Sequence, residues 1–101
     1  MRRMLEELKI GDFSGRVGEK FRVGEAGAAV ELTLIEATDL SRADAPGPRR
    51  SPFSLVFRGP LAPVMPQRTY PIEHAALGRL EIFLVPIGPD GKGMRYEAVF
   101  N

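Results

Sequence analysis

The 101-residue chain has no cysteine, no tryptophan and a single histidine, and it carries no long apolar run. Without cysteine, a disulfide framework, a thiolate metal site and a cysteine nucleophile are all excluded, and stability must come from packing. One histidine cannot build the usual zinc set. A membrane-spanning helix needs about 20 apolar residues in succession, which this chain lacks. Met1, Arg2 and Arg3 are followed by Met4, Leu5, Glu6 and Glu7 rather than by an apolar signal core. These features predict a cytoplasmic protein without membrane contact. Charge of one sign is also scarce: fourteen basic residues against thirteen acidic ones leave a net +1. That is too little to draw the whole molecule to nucleic acid.

What is present is the apolar content of an ordinary globular protein, 44% hydrophobic against 27% charged. The length predicts one domain, residues 1–101, burying about two-thirds of the surface its unfolded chain exposes. Good helix formers at residues 4–8, stopped by Ile10 and Gly11, predict an N-terminal helical segment within residues 3–18. Phe13 and Val17, four apart, would then pack one face of a short turn onto the core.

From Lys20 the apolar period becomes two. Phe21 and Val23 mark a first strand, and residues 24–27 supply its turn. Val30, Leu32 and Leu34 mark a second strand over residues 29–37, in which Ile35 breaks the alternation as a bulge or edge contact would. Residues 38–52 read as a proline-rich loop. Phe53, Leu55 and Phe57 share one face of a third strand, residues 53–58, ended by Gly59 and Pro60. Tyr70 and Ile72 belong to a fourth, residues 67–74, followed by a tight reversal at residues 75–78. The near-continuous apolar run of residues 79–85 predicts a fifth strand covered on both faces. Asp90-Gly91 is the strongest hairpin signal, and residues 94–100 return as a sixth strand. The fold expected is therefore mainly β: a small antiparallel six-stranded barrel or coiled sheet, since closure removes exposed edges.

No catalytic constellation emerges. His74 is the only histidine, its neighbour Glu73 points to the opposite strand face, and its place before the reversal suggests bonding to backbone. No serine lies in a nucleophile elbow. Glu31 and Glu36, five apart, are expected on opposite faces, which argues against paired carboxylates. Arg42, Arg49, Arg50, Arg58 and Arg68 could form a phosphate patch, but Asp39 and Asp44 interrupt it and Phe53 and Phe57 alternate as core residues do. No enzyme, metal, cofactor or nucleic-acid partner is expected. The feature best suited to a partner is the apolar, proline-stiffened connector at residues 61–65, where Leu61, Val64 and Met65 are costly to leave in water and cheap to order. Its plain alternative is a plug for one end of the barrel. An alternative function is a small-molecule-binding or weakly catalytic barrel with Arg58, Tyr70 and His74 near its mouth.

Five blocks carry a resemblance: FSGRVGEKF from Phe13, RSPFSLVFRGP from Arg50, QRTYPIEHAALG from Gln67, FLVPIG from Phe83 and YEAVFN from Tyr96. Together they resemble a family of small bacterial proteins known as a domain of unknown function. The resemblance implies a stand-alone β-rich domain, transfers no catalytic residue or cofactor, and implies an assembly role beside phage-tail-like components. The function expected is a non-catalytic binding or assembly module acting on a protein partner or on itself.

Overall fold

The computed structural model describes residues 8–24, 29–40 and 52–100. Six strands form a closed, wholly antiparallel barrel: β1 (Lys20–Val23), β2 (Val30–Asp39), β3 (Phe53–Gly59), β4 (Arg68–His74), β5 (Gly78–Pro89) and β6 (Met94–Phe100). Around the barrel the order is β1-β2-β3-β6-β5-β4, and β4 returns to β1. Two short 3-10 turns, Ile10–Asp12 and Ser14–Arg16, precede β1. The expected helical run at residues 4–8 lies, apart from Leu8, outside the described residues.

The two-residue alternation places the core as expected. Leu32, Leu34, Phe53, Leu55, Phe57, Ile72, Leu80, Ile82 and Leu84 are all buried. Fully burying one such side chain is worth about 1.5–3 kcal/mol, so these rows supply most of the driving force for folding. Ile35 marks a true bulge: the β2–β3 register shifts between Leu34 and Glu36.

Strand polarity gives the barrel two unlike ends. At the first lie the start of β1 and β3 and the end of β4 and β6. It is plugged by aromatic rings, with Phe13 inside and its ring centroid 6.0 Å from Phe53, 6.1 Å from Phe100 and 6.4 Å from Phe21. Phe53 and Phe100 stack at 4.6 Å, a pairing worth about 0.5–1.5 kcal/mol beyond the area buried. At the second end lie the close of β1, the start of β2 and β4, and the β5–β6 hairpin. There Gly59 and Gly93 let two backbones meet, since a Cβ on Gly93 would overlap the Gly59 carbonyl oxygen.

Several expectations are corrected. Val17 is half exposed while Phe13 is fully buried, because a 3-10 turn places residues three apart on one side and not four. β2 runs on to Asp39, so the expected loop begins later; its residues 41–51, with Arg42, Arg49 and Arg50, lie outside the described residues, as do residues 25–27 of the expected turn. β5 continues beyond Val85 to Pro89, with Pro86 tolerated beside a second bulge between Pro86 and Gly88. The fifth strand is not covered on both faces: Phe83 is 48% exposed, because none of the described residues packs over the outer face of β5 at that point. Glu31 and Glu36 share the outer face, since the bulge at Ile35 resets the alternation between them. About five residues of strand still separate them, roughly 15 Å, too far for a paired-carboxylate site.

The β5–β6 hairpin is locked to β3 by charge. Arg58 Nε donates to Asp90 Oδ2 at 2.8 Å, and Nη2 donates to the same oxygen. Asp90 Oδ1 accepts from the backbone N–H of Lys92 and Gly93. The hydrogen bond from Arg58, then that from Lys92, hold the Asp90 carboxyl below its ordinary 3.8, at about 2. A depressed carboxylate stabilises the fold above its unfolded pKa and loses that contribution as pH falls through the folded one. The melting-temperature advantage of the wild type over Asp90→Asn should therefore be constant above about pH 5 and shrink steadily toward pH 2. An advantage independent of pH across that range would show that the charge of Asp90 is not what locks the hairpin.

Candidate functional site

The sequence points to two groups of residues, and the barrel places all of them but His74 at its second end. His74 closes β4 at the plugged end. Its Nδ1 accepts the backbone N–H of Ala76 at 3.0 Å and of Leu77 at 3.1 Å. The proton therefore sits on Nε2, which donates to Glu19 Oε1 at 2.6 Å. Glu19 is also 3.5 Å from Arg16 Nη1, and the imidazole lies 4.5 Å from the Phe21 ring. The imidazole imitates the side-chain carbonyl of an asparagine in a turn: one acceptor serves the two N–H groups of the reversal. Both ring nitrogens are committed, and the side chain is only 5% exposed.

Outside His74 lies an open depression of about 540 Å³ lined by Lys20, Arg22, Glu31, Glu73 and Arg79 among others. Its charges alternate by register. Arg79 on β5 faces Glu73 on β4, which faces Arg22 on β1, which faces Glu31 on β2. Such opposite-charge cross-strand neighbours favour the pairing of their strands. Among the described residues no group of three acidic or histidine side chains could hold a metal ion, and no helix is long and apolar enough to cross a membrane.

The other end holds the second group. Tyr70 faces inward and is buried, and its hydroxyl donates to the Pro66 carbonyl oxygen. Tyr96, also buried, accepts the N–H of Met65 at its hydroxyl, at 3.0 Å. Both tyrosines thus use their polar tips to pin the far side of the connector, a use for buried phenols that leaves no polar atom wasted. Met65 packs on the core, while Leu61 and Val64 stand 57% and 47% exposed. The connector carries a cis peptide between Ala62 and Pro63. Between it and the barrel opens a mainly apolar cavity of about 730 Å³, lined by Val23, Val30, Val64, Met65, Arg68 and Tyr70 with neighbouring prolines.

Arg58, Tyr70 and His74 therefore do not form one site. Tyr70 lines the mouth cavity, His74 lies at the opposite end, and Arg58 points outward and is held by Asp90. Residues 70 and 74 are about 13 Å apart along β4, which explains the separation. Leu61, Val64 and Met65 do share one segment, with Val64 and Met65 on the cavity wall. From the sequence Arg68 stands out only as part of a basic patch, yet it occupies the mouth. The signal was its parity with Tyr70, since residues two apart on a strand share a face.

The family model described as Domain of unknown function (DUF6916) matches residues 8–100. The chain belongs to this family. The match takes in the plug, all six strands and the connector. No match was found among curated proteins or among solved structures.

The geometry of His74 gives a direct test. Removing its ring in His74→Ala leaves the buried Leu77 N–H without an acceptor, at a cost of about 1–3 kcal/mol. His74→Asn keeps an acceptor for the same N–H groups and should recover about half of that loss. Urea unfolding of the two variants measures both. Equal losses would mean that the residue's contribution does not pass through its Nδ1.

Proposed function

We propose that this bacterial protein is a non-catalytic binding or assembly module, cytoplasmic, whose mouth and connector hold an apolar segment of a protein partner. The observation that carries the reading is the connector itself. It is fastened at its Met65–Pro66 end by Tyr96 and Tyr70, which presents the exposed Val64 at the rim of an apolar cavity, and Leu61 on the same connector is exposed as well. A pre-ordered apolar surface loses little entropy on binding. Phe83, exposed on the outer face of β5, faces Thr69 in register and extends the apolar surface next to the mouth. The assembly role beside phage-tail-like components that the family resemblance implies points the same way, to a subunit of a larger complex.

A second reading, a small-molecule binder, draws on the volume of the mouth cavity, which falls in the range of ordinary ligand pockets of about 300–1,000 Å³. Its residues would be Tyr70 and Arg68, without His74 or Arg58.

Val64→Asp tests the first reading. Val64 is exposed, so the variant should melt within about 4 °C of the wild type. Light scattering and co-purification from the source cells should both lose whatever association the wild type shows. A wild type that stays monomeric at high concentration, with the same co-purifying proteins with or without Val64→Asp, would contradict the proposal.

A further inference from the structure

We infer that the barrel mouth selects an acidic residue, flanked by apolar ones, in the segment it binds, and that Arg68 is the residue that reads it. The inference rests on the segment-binding reading above and adds a chemistry to it. Among the described residues lining the cavity, Arg68 is the one permanent charge, and the side chains around it are those of valine, methionine, proline, threonine and tyrosine. No carboxylate among the described residues pairs with it. Arg58 offers the contrast: it is equally near the second end but already satisfied by Asp90.

Arg68 is also placed in advance. It shares the inner face of β4 with Tyr70, and its guanidinium carbon lies 4.9 Å from the centre of that ring. Tyr70 is in turn fixed through its hydroxyl on Pro66. A guanidinium lying on an aromatic face keeps its N–H edge directed outward, and that planar edge matches a carboxylate in a two-point hydrogen bond. An apolar cavity with a single cation at its rim favours an apolar occupant with a single negative charge. A wholly apolar segment would leave the arginine partly desolvated and unpaired, and a basic one would be repelled.

The test is an amide-resolved NMR titration of the full chain with three probes. Two are N-acetylated, C-amidated tetrapeptides, proline-valine-glutamate-valine and its glutamine counterpart; the third is octanoate. The expected result is that the glutamate peptide shifts the amides of Val30, Met65 and Tyr70 and binds about tenfold tighter than the glutamine peptide, the difference one such charge pair supplies. That preference should vanish in Arg68→Gln and be reduced in Arg68→Lys, which keeps the charge but not the planar edge. Arg68 is exposed, so both variants should retain the wild-type spectrum outside the mouth.

Equal binding of the two peptides, or a preference that survives Arg68→Gln, would overturn the charge selection while leaving the mouth as a segment site. Octanoate binding at the mouth with neither peptide doing so would overturn both readings in favour of a small-molecule carboxylate site. If none of the probes binds while Val64→Asp still abolishes association, the inference about Arg68 fails and the assembly reading stands.

Discussion

The barrel depends on one side chain at its weakest seam. β1 has only four residues, and it meets β4 through just two register pairs, Arg22 with Glu73 and Val23 with Ile72, continued by the Gly24 N–H on the Pro71 carbonyl oxygen. So short a ladder does not hold a sheet closed by its hydrogen bonds, each worth about 1 kcal/mol net. Phe21 does it by packing. Its ring meets Phe13 of the plug, Phe57 edge-on at 5.2 Å, and His74 at 4.5 Å. Three separate parts of the structure, the N-terminal plug, the opposite wall and the β4–β5 reversal, converge on that one ring.

The two ends follow from this arrangement. At the end where Phe21 and Phe13 lie, aromatic rings fill the interior and His74 is drawn into the packing, its nitrogens occupied by Glu19 and by the reversal. At the other end Val23, Val30 and Tyr70 line a cavity that is bordered by the proline connector and is not filled by aromatic rings. The same barrel is therefore plugged by rings at one end and holds a cavity at the other. This asymmetry is why a binding reading settles on the connector and mouth and not on the solitary histidine.

Much of the fold could be read from the residues. Rows such as Phe53, Leu55 and Phe57 have only one reasonable explanation, a strand with one face inside. The intrusion of Ile35 into such a row marked the bulge, and Asp90-Gly91 marked the hairpin. Features that exist only in three dimensions leave no such mark in the sequence. An apolar residue in a continuous run, Phe83, is indistinguishable by period from a buried one, and it stays exposed because none of the described residues packs over β5 there. Arg58, Tyr70 and His74 looked like neighbours because two of them share a strand, but four residues of extended chain carry Tyr70 and His74 to opposite ends. The close approach of Gly59 and Gly93 comes from pairing β3 with β6, thirty-four positions along the chain, and has no local signature. Arg68 was legible as a charge and not as the lid on Tyr70, because its role exists only once the mouth is formed.

Native-state hydrogen exchange of the Gly24 amide, compared between the wild type and Phe21→Leu, tests most directly whether the packing of Phe21 keeps the barrel shut. The account predicts that in the wild type this amide exchanges as slowly as those of the β3–β6 ladder. In Phe21→Leu it should exchange at least about tenfold faster while the β3–β6 amides keep most of their protection, which is the mark of a seam opening by itself. A Gly24 amide that slows or quickens only in step with the β3–β6 ladder in both proteins would contradict it, placing closure in the barrel as a whole.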